Sequence, residues 1–300
     1  MPSYFRYGLV LAVVLGSSVA LRADYIGSTL GTAGPGNYAV LTLSGATDIA
    51  LNGPGTTYGN VGITTGTLSL DGSAGPSING NVFLGNNATV THPQLVTGNI
   101  FTNQNLSQAN TDARNAATAF SGLASTAGMP TSVNGTTTIN GGPGVNVANL
   151  SGINLGNGQT LTLNGPAGSQ FVINSPNMVL NSGKIALTGG LTPNDVVFNL
   201  TGTGNNLQTS GGLNNESVIN GIVLDANGSV AMAPGLINGE LIAGGQSVHL
   251  VSGASVNGSP PAPSVPEPSS AVLLVLGGLG MAGLVRRSWR RSSADAVGKE

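Results

Sequence analysis

The groups able to do chemistry in this chain are few and scattered. Its 300 residues include 11 Asp and Glu, 9 Lys and Arg, 2 His and no Cys. Glycan-cleaving solenoids work with convergent carboxyl groups, classically a pair flanking the scissile bond. Here Asp48, Asp71, Asp112, Asp195, Glu216, Asp225 and Glu240 stand far apart, and no two lie two or three residues from one another. A coiled fold would bring together residues about one coil apart, so Asp225 with Glu240 (15 apart) and Asp48 with Asp71 (23 apart) are the pairs it tests. The plainer expectation for these carboxylates is a solvated turn position, bonded to nearby backbone. His92 precedes Pro93 in a turn, and His249 in Ser247-Val248-His249-Leu250 faces outward if Val248 and Leu250 face in. Two lone histidines fall short of the three or four ligands of a zinc site. Asp225-Ala226-Asn227-Gly228 has the start of a calcium loop but lacks its spaced ligands and terminal glutamate, and Asx-turn chemistry accounts for it. Without cysteine there is no disulfide, thiolate site or cysteine nucleophile. The reading is a noncatalytic protein, with no catalytic residue, no metal and no cofactor.

What remains is a surface. Only 7% of residues are charged, against about 25% in ordinary soluble domains. Between Asp24 and Ser264 the only cations are Arg114 and Lys184, against eight carboxylates, which excludes nucleic acid as a partner because phosphate neutralisation drives that binding. Outward Thr, Ser and Asn on stacked strands would form rows about 4.8 Å apart. Such an uncharged array orders water or packs against glycans; Thr42, Thr136, Thr137, Thr138, Thr160 and Thr162 are the candidates.

The elements that must position these rows are short strands between glycine and asparagine corners. Val40-Leu41-Thr42-Leu43, Thr67-Leu68-Ser69-Leu70, Gln159 to Leu163, Phe171-Val172-Ile173 and Val196 to Leu200 read as half-buried strands. An apolar-Ile-Asn-Gly pattern recurs at Ile78, Ile139, Ile219 and Ile237, and Gly-Asn-apolar at Gly59, Gly80 and Gly98. Spacings of 18 to 21 residues match one coil of a β-solenoid. Gly and Asn suit the corners because both tolerate positive φ. One stretch differs: Leu106, Ala109, Ala113, Ala116, Phe120, Leu123 and Ala127 recur at helical spacing, predicting a helix near 105–127, capped by Asn105 with Gln108 and stopped at Gly128 before Pro130. It would lie along the solenoid flank or cover an open end. The fold class is mainly β: a single β-solenoid, or parallel β-helix, with one flanking α-helix, plus an N-terminal signal helix and a C-terminal transmembrane helix.

The ends read as addresses. Arg6 precedes an apolar run from Leu9 to Leu15, with small residues at Ser18, Ala20 and Ala23, the layout of a signal peptide over 1–23. The solenoid body then covers 24–258, a Pro-rich linker 259–268, a marginal membrane segment 269–285 and a basic tail 286–300. Arg286, Arg287, Arg290 and Arg291 hold that tail in the cytoplasm and the body outside the inner membrane. Gly278 to Gly283 spells G-x-G-x-x-G without the strand and helix of a dinucleotide site.

Val265-Pro266-Glu267-Pro268, the glycine-rich apolar run and the arginine block together resemble the PEP-CTERM sorting signal of Gram-negative bacteria, a segment also called the ice-binding protein C-terminal domain. The resemblance implies that Pro266, Glu267 and Pro268 form the sorting motif, read by an exosortase-type processing enzyme after transient anchoring in the inner membrane. The body, with GNVGITTG at 59–66, an inserted helix and SVAMAPGLINGELIAGG at 229–245, is similar to two secreted β-helical groups. These are the choice-of-anchor A proteins and the DUF3494-type ice-binding proteins. The expectation is a secreted, noncatalytic structural or adhesion protein of the cell envelope or extracellular matrix. The alternative is an ice-binding protein on the same route. Exopolysaccharide and ice are the corresponding surface partners.

Overall fold

The computed structural model describes residues 24–71, 75–212 and 215–258. The signal peptide, linker, sorting motif, membrane segment and basic tail expected from the sequence lie outside the described residues. The body is a column of parallel strands in which each coil presents three walls.

The third wall is the simplest, an eight-stranded parallel sheet. Its strands run in spatial order Ile153–Leu155, Met178–Asn181, Asn205–Ser210, Ser229–Ala233, Ser247–Leu250, Asp48–Asn52, Thr67–Asp71 and Thr89–Val90. The other strands form one 15-stranded sheet, because Ser217–Asp225 and Gly235–Ala243 are long enough to run through two walls. The first wall holds Thr137–Asn140, Thr160–Asn164 and Lys184–Thr188, then the starts of the two long strands, then Ser255–Asn257, Thr57–Tyr58 and Ile78–Asn79. The second holds Gly144–Asn149, Ser169–Ser175 and Val196–Leu200, the ends of the long strands, then Val40–Thr42, Val61–Ile63, Val82–Leu84 and Ile100–Phe101.

The coils are not stacked in chain order. The strand Val40–Thr42, near the start, pairs on one side with residues 241–243 near the end and on the other with Val61–Ile63. The chain therefore builds one end of the column first, up to Phe101, and must reach the far end before starting Thr137–Asn140. Nine rungs of the second wall separate these points, a climb of ~38 Å at strand spacing. Helix α2 (Ser107–Ser121, 15 residues) supplies ~22 Å of it, and residues 122–136 supply the rest. The helix thus runs along the flank.

Helix α2 buries Ala109, Ala113, Ala116 and Phe120, as the spacing requires, with Leu106 just ahead. Its ends differ from expectation. Asn105 Oδ1 accepts from the Ser107 N–H and hydroxyl, and Gln108 instead donates to Asp112, so the two form no capping box. The C-cap is Gly122, six residues before Gly128, because the last carbonyls are claimed from below. Asn199 Nδ2 donates to Ala117 O, Asn174 Nδ2 to Phe120 O and Asn149 Nδ2 to Leu123 O. These asparagines occupy matching positions on successive rungs and bond to one another, Asn174 to Asn149 and Asn199 to Asn174, each at 2.8 Å. The structure adds a second, shorter helix, α1 (Tyr25–Leu30), to the one that the apolar spacing predicts. Asp24 caps it through the Gly27 N–H, and Gln170 of the second wall ties its start down through Tyr25 N and Asp24 Oδ1.

Two apolar clusters follow. One fills the column, with Leu161, Phe171, Ile173, Met178, Phe198, Val230 and Val248 among its members. The other lies between the outer side of the second wall (Val147, Val172, Val197, Ile222, Leu224, Ile242) and the two helices. A wall covered on both sides must be apolar on both sides. Phe171-Val172-Ile173 and Val196-Val197-Phe198 are accordingly buried throughout, which corrects their reading as half-buried strands. Strict alternation belongs to the uncovered walls, as in Thr160–Asn164 and Ser247–Leu250.

The Ile-Asn-Gly repeat marks the corner between first and second walls. The isoleucines at 78, 139, 219 and 237 point into the column, while Asn238 Nδ2 donates to Asn220 Oδ1 and Asn257 Nδ2 to Asn238 Oδ1. Gly221 and Gly239 pair in register at φ 148° and 145°. A Cβ on Gly239 would stand 2.1 Å from the Gly221 carbonyl oxygen, so only glycine turns this corner.

Candidate functional site

The dispersed ionisable groups stay dispersed. Asp225 is not solvated: it is fully buried, its Oδ1 accepts from Asn206 Nδ2 and the Gly228 N–H, and burial pushes its carboxyl up to about 6. Glu240 is 1% exposed with neither carboxylate oxygen hydrogen-bonded among the described residues, and burial holds it protonated well above the usual carboxylate range. The two are offset along adjacent strands, Glu240 opposite Ile222 and Asp225 opposite Ala243, so they form no solvent-facing pair. Asp48 and Asp71 sit on neighbouring rungs but opposite Thr67 and Asn52. Asp112 lies on α2, where bonds from Thr32 N and Oγ1 hold its pKa below the usual range. Asp195 closes a capping box with Thr192, Asp71 is exposed and Glu216 half-buried. No group of three His, Cys, Asp or Glu able to hold a metal ion occurs among the described residues.

The histidines also separate. His92 adopts φ 51° with Nδ1 2.8 Å from Leu70 O. His249 faces outward between the buried Val248 and Leu250, with Nε2 2.8 Å from Asp48 Oδ2. Arg114 is spent on structure, donating to the carbonyls of Ser44 and Ala226.

The threonine candidates divide. Thr42 is fully buried, because the second wall is covered there, and so drops out. Thr138 stands opposite Thr162, and the Thr136 hydroxyl accepts from the Thr160 N–H, so these four do gather on the first wall, over two rungs. Thr137 alternates with them and is half-buried. The next rung brings Lys184 and Ala186, and farther along Tyr58 stands half-exposed, so the threonine patch ends early.

The third wall is the long, uncovered, uniform face. In one outward row Asn154, Val179, Gln208, Ala231, His249, Ala50 and Ser69 follow in register. Beside it run Asn205 opposite Ser229, then Ser247, Asp48, Thr67 and Thr89. On the other side are Asn181, Ser210 and Ala233, and farther on Asn52 and Asp71. Short side chains dominate, and the ladder breaks once, between Asn205 and Leu207. Threonine counting misses this face because its rows mix Asn, Ser, Ala and Thr; the signal present in the sequence is the alternation in Thr67–Asp71, Ser229–Ala233 and Ser247–Leu250.

Residues 264–291 match the family model of the PEP-CTERM protein-sorting motif. No curated protein matches the chain in a sequence comparison. Among solved structures, the body is similar to an ice-binding protein from an Antarctic bacterium of the Flavobacteriaceae, at 20% identity and TM-score 0.50 over 79% of this chain and 49% of that one. It is also similar to the ice-binding protein of the Antarctic ascomycete Antarctomyces psychrotrophicus (23% identity, TM-score 0.46, 76% and 96% covered). A third is the DUF3494 domain of a Shewanella frigidimarina ice-binding protein (16%, 0.48, 77% and 95%). The body thus has the β-helical fold of the flavobacterial ice-binding protein, and the chain carries a PEP-CTERM protein-sorting motif behind it.

Proposed function

We propose that this is an exported ice-binding protein whose third wall is the ice-facing surface. The observation that carries the reading is that wall itself: eight parallel rungs left bare by both helices, with short, mostly uncharged side chains repeating at strand spacing. A flat array of this kind holds water at fixed intervals, whereas charged groups would impose hydration shells of their own. Among the described residues its only ionisable outward groups are Asp48, Asp71 and His249, and Asp48 Oδ2 is hydrogen-bonded to the His249 ring at 2.8 Å. The flavobacterial neighbour is named as an ice-binding protein, which agrees with the reading while the wall carries it. The structural or adhesion role expected from the tail requires only export, and the third wall favours ice over it. No step of this function requires catalysis.

Delivery follows the sorting motif. The signal peptide over 1–23 starts export, the 269–285 segment anchors the chain with Arg286, Arg287, Arg290 and Arg291 on the cytoplasmic side, and an exosortase-type enzyme acts at Pro266-Glu267-Pro268. The body then reaches the cell envelope or extracellular matrix. Thermal hysteresis and ice recrystallisation assays on the chain and on third-wall variants test the ice reading.

A further inference from the structure

Along the last three rungs of the second wall the fully buried part of the helix-covered cluster has ended, at Leu41 and Leu43, with Tyr38 packed against its edge. There the outward side chains change character. Gly62, Phe83 and Phe101 follow one another in register. Phe83 and Phe101 stack at 5.1 Å with an interplanar angle of 18°, and Tyr38 meets Phe83 edge-on at 6.2 Å. Gly62 makes room for this: a Cβ there would stand 2.8 Å from the Tyr38 ring. In a chain with only 4% aromatics, three rings form one outward ladder, and Phe101 is 39% exposed. The next outward positions along the same rungs, Thr64, Gly85 and Asn103, open into a groove of about 530 Å³ that Asn86, Gln104 and Asn110 also line. Hydroxyl and amide groups dominate it, and among the described residues no ionisable side chain lines it.

Exposed aromatic surface beside polar groups is the signature of a binding site. The two halves here specify the ligand. Stacked rings ask for a flat apolar face, while a groove of neutral donors and acceptors asks for a rim of hydroxyls and offers nothing to a phosphate or carboxylate. A pyranose unit has both features, C–H bonds on its faces and hydroxyls around its edge, and the groove lies within the usual range for small-ligand sites. Ice does not fit, because projecting rings break the flatness of the wall. We propose that this face binds a neutral glycan chain, with the outer face of Phe101 as the stacking platform, Phe83 and Tyr38 packed behind it, and the Thr64–Asn103 groove as the hydroxyl-reading part. This site is separate from the third wall and does not depend on the ice reading.

Calorimetric titration of the full chain, in a detergent without a sugar headgroup, tests the proposal with glucose and mannose hexasaccharides and an oligogalacturonate as anionic comparator. The neutral sugars are expected to bind, and Phe101→Ala to weaken them about tenfold, the scale of one aromatic contact. Asn103→Gly keeps the left-handed backbone that Asn103 adopts at φ 54° while removing the amide, and is expected to weaken binding as well. Both variants should retain full ice activity. No binding of either neutral sugar, binding of the anionic one alone, or unchanged affinity in Phe101→Ala would overturn the site. If Phe101→Ala loses its circular dichroism signal, Asn103→Gly alone decides.

Discussion

His249 Nε2 lies 2.8 Å from Asp48 Oδ2, although 201 positions separate them in the chain. The contact joins the strand Ser247–Leu250 to Asp48–Asn52, the seam where a late strand of the body pairs with an early one. The side chains are 38% and 68% exposed, so water competes with the pair and its worth is under about 1 kcal/mol. The seam is held instead by parallel backbone pairing and by Ile49, Val248 and Leu250 in the core. The double variant Asp48→Ser, His249→Ala is expected to unfold in urea within about 1 kcal/mol of the parent, and to keep its thermal hysteresis. A collapse of stability would mean that the pair fixes the seam.

Glu240 stands where its row otherwise carries Val172, Val197 and Ile222. Its protonated form is favoured by burial, and its nearness also raises the Tyr38 hydroxyl, whose own burial is the larger cause. Because the folded pKa lies above the unfolded value of 4.5, the native state binds a proton that the unfolded chain releases. The stability this brings is complete below that value and is lost as pH rises from there toward the folded pKa. Glu240→Leu is expected to remove its share of that slope, leaving the part that Asp225 contributes up to about pH 6, and to raise stability at pH 7 by about 1–3 kcal/mol, measured as urea unfolding from pH 4 to 8. An unchanged slope would contradict the assignment.

Asn174 makes one buried donation, to Phe120 O, and one part-buried donation, to Asn149 Oδ1, and accepts a buried bond from Asn199. Removing its amide leaves a helix carbonyl and two neighbouring amides short of a partner. Asn174→Ala is expected to cost about 2–4 kcal/mol and to speed amide exchange at the end of α2 before the column itself opens. Equal loss throughout the column would show that the ladder is not a helix cap.

The sorting proposal concerns a short peptide and is tested apart from the fold. Glu267→Ala in the native host is expected to leave the protein unprocessed in the inner-membrane fraction. Normal processing and location would remove Pro266-Glu267-Pro268 from the delivery scheme.

The column was legible in the sequence because its constraints are local. Gly221 and Gly239 turn corners that a Cβ would block, and the isoleucine before each Asn-Gly fills the core, so the repeat appears in the letters. The helix face was legible for the same reason, from the spacing of Ala109, Ala113, Ala116 and Phe120. The stacking order was not, because nothing local marks Val40–Thr42 as the partner of residues 241–243. The helix end at Gly122 also escaped, since the asparagines that satisfy its carbonyls come from rungs up to 82 residues away. Continuous runs such as Phe171-Val172-Ile173 held the information that one wall is covered, and reading them as alternating hid it. For the candidate site, threonine marked only part of the uncovered surface: Thr42 is buried, Thr136, Thr138, Thr160 and Thr162 gather over two rungs of the first wall, and the third wall is built from Asn, Ser and Ala as well.

The measurement that bears most directly on the ice-facing wall is thermal hysteresis of Ala231→Tyr beside Thr162→Tyr. Ala231 lies mid-row on the third wall between Gln208 and His249, and Thr162 projects from the first wall. The expected result is loss of most activity in Ala231→Tyr, with Thr162→Tyr equal to the parent. Full activity in Ala231→Tyr, or no activity in the parent chain, would contradict the account.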